Sequence, residues 1–200
     1  MTAIATPPLA ASAGIAADLE AVAGRLRRVT VVVGGRGQGA GAGIVWRPDG
    51  LVVTNAHVAR GAVGVTLADG RRLRATLVGR DPGRDLAALA LPVRDLEAAA
   101  VDDGTDLRVG QLVVAVGHPF GLAGALSVGV LHRGPTGRED PDGGWLVADL
   151  RLAPGNSGGP LADERGRVLG VNAMIHGGLA LAVPSVAVQR FLRRAGLVAP

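Results

Sequence analysis

Short aliphatic runs, each cut off by glycine, proline or aspartate, constrain this chain more than any other feature of it. Val29-Thr30-Val31-Val32-Val33, Leu51-Val52-Val53-Thr54 and Leu112-Val113-Val114-Ala115-Val116 are too short for buried helices and rich in β-branched side chains that suit a pleated strand. Arg47-Pro48-Asp49-Gly50 and Asp69-Gly70 stand between such runs as tight-turn signals, so neighbouring runs should pair as hairpins. Further strands are expected at 44–46, 63–67, 73–79, 125–131, 145–149, 168–173 and 179–183. The thirty-two glycines and twelve prolines are spread along the chain, as many short strands joined by turns require. Only Trp46, Trp145, Phe120 and Phe191 are aromatic, so the core should be aliphatic.

Two segments read as helices. Residues 18–28 place acids first and arginines last, which suits a helix dipole, and residues 185–194 begin at Ser185, a candidate cap. Residues 1–17 read as a loose arm and the polar connector 97–108 as the internal boundary. This divides the chain into an arm, a first β unit with its helix over 18–105, and a second β unit with the closing helix over 106–200. Residues 134–144, charged and glycine-rich, read as a loop.

One stretch fits no strand or helix. In Ala153-Pro154-Gly155-Asn156-Ser157-Gly158-Gly159-Pro160-Leu161, glycine and proline crowd a single serine. Glycine at this density lets the backbone turn tightly, so the N–H groups of Gly155 and Ser157, with Asn156 between them, can face one small hollow. An acyl-transfer nucleophile and its oxyanion hole need that geometry. A base must accompany such a serine. Thr54-Asn55-Ala56-His57-Val58 puts a histidine at a strand end, and imidazole, with an ordinary pKa of about 6.5, works as a base near neutrality. Asp85 opens the apolar run Leu86-Ala87-Ala88-Leu89, which should draw its carboxylate partly inside, where an imidazole N–H can satisfy it. Asp81 precedes a proline and reads as a turn former, while Asp102, Asp103 and Asp106 lie in the connector and read as surface.

Other chemistries are excluded by what is missing. The chain has no Cys, Lys or Tyr, which removes thiol nucleophiles, thiolate metal sites, disulfides, Schiff-base lysines and a Walker phosphate loop. His118, His132 and His176 show no metal-ligand spacing and read as loop or strand-end residues, so neither metal nor cofactor is expected. The glycine-rich run 37–43 does not fit a dinucleotide fingerprint. The net charge of +4 is carried by arginines interspersed with acids, which argues against a nucleic-acid surface. No apolar stretch is long enough to span a membrane, and the N-terminal residues lack the basic start of a secretory signal.

With these stretches in hand, the chain resembles the protease domain of the HtrA (DegP-like) family of trypsin-like serine proteases. The resemblance rests on Thr54-Asn55-Ala56-His57-Val58, Asp85-Leu86-Ala87-Ala88-Leu89, Gly117-His118-Pro119-Phe120-Gly121, Gly155-Asn156-Ser157-Gly158-Gly159-Pro160-Leu161, Gly170-Val171-Asn172 and Ala182-Val183-Pro184-Ser185. It implies an all-β fold of two perpendicular six-stranded barrels of the chymotrypsin type, with His57 as general base, Asp85 as its orienter, Ser157 as nucleophile and Gly155, Asn156 and Ser157 around the oxyanion. It also implies a substrate pocket walled by Arg151, Leu152, Ala153, Val171, Ala173 and Met174. That pocket holds no acid, so cleavage after small or medium aliphatic residues of unfolded polypeptides is expected, with Arg151 turned outward. A second reading is a chaperone or peptide-binding module on the same fold whose oxyanion hole is unformed at rest. The resemblance also implies a homotrimer built through the N-terminal arm, and family members commonly carry PDZ domains after the protease and an export signal or membrane anchor. Neither a PDZ domain nor a signal is read in this sequence, which makes a cytoplasmic location the default and the cell envelope the alternative by family analogy.

Overall fold

Both β units close around their own aliphatic interior. The computed structural model describes residues 10–34, 41–60, 63–104, 106–134 and 144–199. It opens with helix α1 (Ala10–Val29), followed by β1 (Thr30–Gly34), β2 (Gly41–Val45), β3 (Leu51–Thr54), β4 (Gly64–Thr66), β5 (Arg72–Arg74), β6 (Thr76–Asp81) and β7 (Leu86–Ala90). The second half contains β8 (Leu112–Gly117), a 3-10 turn at Pro119–Gly121, β9 (Ala125–Arg133), β10 (Leu146–Asp149), β11 (Pro160–Asp163), β12 (Val168–His176), β13 (Leu179–Pro184) and helix α2 (Ser185–Arg194).

The first sheet runs β5-β4-β1-β2-β3-β7-β6, and the second is a closed barrel in the order β10-β13-β12-β11-β8-β9. Seven segments stand in the first sheet where six strands are expected. The extra one arises because Ala75 interrupts the single expected strand at 73–79: β5 pairs with β4, β6 pairs with β7, and the Ala75 amide turns to the Val63 carbonyl at 3.0 Å. The two edges of the row are therefore one stretch of chain, which curls the sheet back on itself.

Strand alternation builds three cores from the same strands. In β3, Val52 faces the interior of the first barrel while Leu51 and Val53 face the seam between barrels; in β7, Ala87 and Leu89 face inward while Leu86 and Ala88 face the seam. In β8, Val113 and Ala115 fill the second barrel, and Val114 and Val116 join the seam. Strands buried on both faces carry no polar alternation, which is why they read as continuous aliphatic runs. Helices α1 and α2 seal the seam with Val22 and Leu26, and with Val188, Phe191 and Leu192.

Four expectations change. Helix α1 begins at Ala10 rather than at residue 18, because the stretch ahead of Asp18 is mostly alanine, the residue of highest helix propensity. Residues 1–9 of the expected arm, the glycine-rich stretch 35–40 and residues 135–143 of the expected loop lie outside the described residues. Strand β11, buried throughout, lies between β12 and β8 and takes in the last two residues of the serine stretch; Pro160 is tolerated because it occupies the first strand position. Asp102 is not at the surface. It is only 4% exposed, its carboxylate takes the Arg167 guanidinium at 2.8 Å, and its backbone carbonyl accepts the Ser185 hydroxyl at 2.7 Å. That last bond also removes Ser185 as a cap: Pro184 occupies the cap position of α2.

Candidate active site

Strand β3 delivers His57. Beyond Thr54 the chain turns, with the Asn55 carbonyl accepting the amides of Val58 and Ala59 at 3.2 and 3.1 Å. Asp85 lies where the chain enters β7, in the left-handed region at φ 54, a conformation that aspartate tolerates better than most residues. Four bonds run from the β3 turn to this one residue. The Asp85 carbonyl accepts the Ala56 amide at 3.1 Å and the Asn55 side-chain amide at 3.0 Å. Its carboxylate accepts the His57 amide at 2.9 Å on Oδ1 and meets His57 Nδ1 at 2.6 Å on Oδ2. A carboxylate can only accept, so the proton of this contact sits on Nδ1 and the lone pair of a neutral ring is on Nε2. The imidazole stays 40% exposed, open to a substrate.

Ser157 lies across the seam. Its carbonyl accepts the Ala42 amide at 2.8 Å, and the Ala42 carbonyl in turn accepts the Thr54 hydroxyl at 2.6 Å, which joins the serine turn to the strand that carries His57. Gly158, at φ +86, has no room for a side chain: a Cβ there would stand 2.1 Å from the Ala42 oxygen and 2.3 Å from Thr54 Oγ1. Gly155, at φ +109, is equally confined, with a Cβ meeting the His118 oxygen at 2.2 Å. The amides of Asn156, Gly158 and Gly159 donate to the carbonyls of Ala153, Asn172 and Asn156. Among the described residues no protein acceptor is paired with the amides of Gly155 and Ser157. The Ser157 hydroxyl donates to the Ala173 carbonyl at 3.2 Å.

Beside Ser157 is a hollow of about 260 Å³, walled by Leu152, Ala153, Pro154, Asn156, Met174 and Ile175. Of the six expected pocket residues, Leu152, Ala153 and Met174 line it. Val171 and Ala173 are packed into the seam core, and Arg151 is exposed. Pro154 and Ile175 were not read as pocket residues because a proline in a turn and an isoleucine just past the expected strand 168–173 carry no chemical signature. A larger hollow of about 570 Å³ is bordered by Asp102, Asp163 and Arg167, but these groups already satisfy one another. No group of acids and histidines suited to a metal ion occurs among the described residues, and no helix among them is long and apolar enough to cross a membrane.

His118, which follows β8, is buried, and burial holds its pKa below the ordinary histidine range. Its Nδ1 accepts the Gly124 amide at 3.2 Å.

Residues 41–171 match the family described as trypsin-like peptidase domain. The chain is 39% identical over 153 residues to a probable periplasmic serine endoprotease, DegP-like, of Halomonas elongata, an overlap that covers 72% of this chain and 32% of that protein. It is 42% identical over 150 residues to the chloroplastic Protease Do-like 1 of Arabidopsis thaliana, covering 70% and 34%. A DegP-like protein of Chlamydia pneumoniae is 37% identical over 162 residues, covering 76% and 33%. The matched region spans about a third of the length of these relatives.

Proposed function

The chain belongs to the trypsin-like peptidase family as an HtrA-type, DegP-like serine protease domain, and on that premise we propose that His57, Asp85 and Ser157 form its catalytic triad. The observation that carries the reading is the double grip of the Asp85 carboxylate on the His57 amide and on Nδ1, at 2.9 and 2.6 Å. That grip presents Nε2 as the base. In the reaction the Ser157 hydroxyl leaves the Ala173 carbonyl, gives its proton to Nε2 and bonds to the substrate carbonyl carbon. The oxyanion that forms is met by the amides of Gly155 and Ser157. The imidazolium then protonates the departing amine as the peptide bond breaks, leaving an acyl-enzyme. Water attacks this ester, again losing a proton to His57, and Ser157 is released.

The hollow walled by Leu152, Met174 and Ile175 supports a preference for aliphatic side chains before the cut, Val, Ala or Leu. A lysine or arginine placed there would lose its hydration with no acid to replace it. Unfolded polypeptides are the proposed substrates, since a cleft between barrels admits only extended chain. A proteome-derived peptide library read by mass spectrometry should show cuts after aliphatic residues, absent with the Ser157→Ala protein. Dominant cutting after Asp or Glu would place Arg151 in the pocket instead and overturn the preference.

A further inference from the structure

We infer that Arg27, on helix α1, is a positioning residue for the oxyanion loop, acting through Gly124 and His118. The inference rests on the protease reading above. Three hydrogen bonds lie in series between the helix and the loop, and a fourth joins the same turn to the loop in parallel. Arg27 Nε donates to the Gly124 carbonyl at 2.7 Å, and the Gly124 amide donates to His118 Nδ1 at 3.2 Å. The His118 amide donates to the Gly155 carbonyl at 3.0 Å, and the Phe120 amide to the Pro154 carbonyl at 3.2 Å. Gly155 carries one of the two amides proposed for the oxyanion.

The contacts at each end are tight as well as polar. Gly124, at φ +69, packs flush on the arginine stem: a Cβ there would lie 3.0 Å from Arg27 Cγ. At the other end the His118 carbonyl and Pro119 Cα fill the space beside Gly155, where a Cβ would meet them at 2.2 and 2.9 Å. The turn from His118 to Gly124 is thus held between α1 on one side and the oxyanion loop on the other. Two neighbouring arginines of α1 are anchored elsewhere. Arg25 reaches the Arg165 carbonyl at 3.3 Å, and Arg28 pairs with Glu97 at 2.7 Å. They share the helix with Arg27 but not its route to the loop.

A loss of position at the oxyanion loop should lower turnover and leave ground-state binding alone. Arg27→Met is expected to lower kcat on a fluorogenic peptide bearing Val before the cut by between about tenfold and a hundredfold, with KM within about twofold. Its affinity for a peptide aldehyde, whose adduct places an oxyanion in the hole, should fall in parallel. Arg25→Ala and Arg28→Ala should keep wild-type kcat. Arg27→Lys, which keeps a cationic donor on a long stem, should recover part of the loss, and this variant guards against a folding defect in Arg27→Met. His118→Leu combined with Arg27→Met should cost little more than the worse single change, because both act on one turn. Equal losses in all three arginine variants, a raised KM with unchanged kcat, or additive losses in the double variant would each overturn the inference. If the wild-type protein itself fails to react with a fluorophosphonate probe, the protease reading fails instead.

Discussion

Asp85 does two jobs within one residue. Its carbonyl secures the turn that ends in His57, and its carboxylate fixes which ring nitrogen carries the proton. Asp85→Asn should keep the turn but present an N–H₂ group to Nδ1, which drives the ring proton to Nε2 and removes the base. Turnover of a peptide substrate should fall on the order of ten-thousandfold with the fold intact by circular dichroism. Asp102→Asn, by contrast, should leave turnover per folded molecule close to wild type, because Asp102 serves Arg167 and the α2 junction. The reverse pattern would assign the wrong acid. That the Asp85 carboxylate would meet an imidazole was legible in the sequence, because a charged residue at the mouth of an aliphatic run needs an internal partner. Asp102 was not, since the polar connector around it looks like any exposed loop. Its partner Arg167 is distant in sequence, and only the fold joins them.

At the scale of elements, most strands between clear turn signals were read to within a residue or two and α2 at both ends, whereas β2 and β12 each run three residues beyond the expected 44–46 and 168–173, and β7 was read only as an apolar run. Those lost were the ones whose neighbours decide them. Pro160-Leu161-Ala162-Asp163 is a strand because β12 and β8 flank it, and the single expected strand at 73–79 breaks because its two halves answer to different partners. The His118 turn adds a testable dependence on pH. Burial lowers the histidine pKa in the folded protein, while the unfolded chain takes up its proton at about pH 6.5. The sign follows from proton counting: below that pH the unfolded state binds more protons. The stability contributed by neutral His118 is therefore complete above about pH 6.5 and is lost as the pH falls toward the depressed folded value. Urea midpoints followed from pH 8 down to 5 should fall less steeply for His118→Asn, which keeps an acceptor for the Gly124 amide but cannot titrate. Identical slopes would show that His118 is not the group responsible.

At the scale of the whole molecule, the proposed catalytic residues stand over a seam that neither barrel owns. Val53, Leu86, Val114 and Val116 come from both barrels into one core, and the two helices close it, so the barrels cannot shift without opening buried aliphatic surface. Over this core, Ala42 links the Ser157 carbonyl to Thr54 and so to the His57 turn. The pairing of two barrels was legible only through a resemblance to a known family, because no local pattern encodes how one barrel meets another. The central claim is that His57, Asp85 and Ser157 meet across this seam as one catalytic unit. It is tested most directly by intact-mass and peptide mapping after reaction with a fluorophosphonate. The account predicts one adduct per chain, carried by Ser157, slowed by orders of magnitude in His57→Ala and in Asp85→Asn and absent in Ser157→Ala. A folded wild-type protein that takes up no probe, or an adduct that persists after Ser157→Ala, would contradict it.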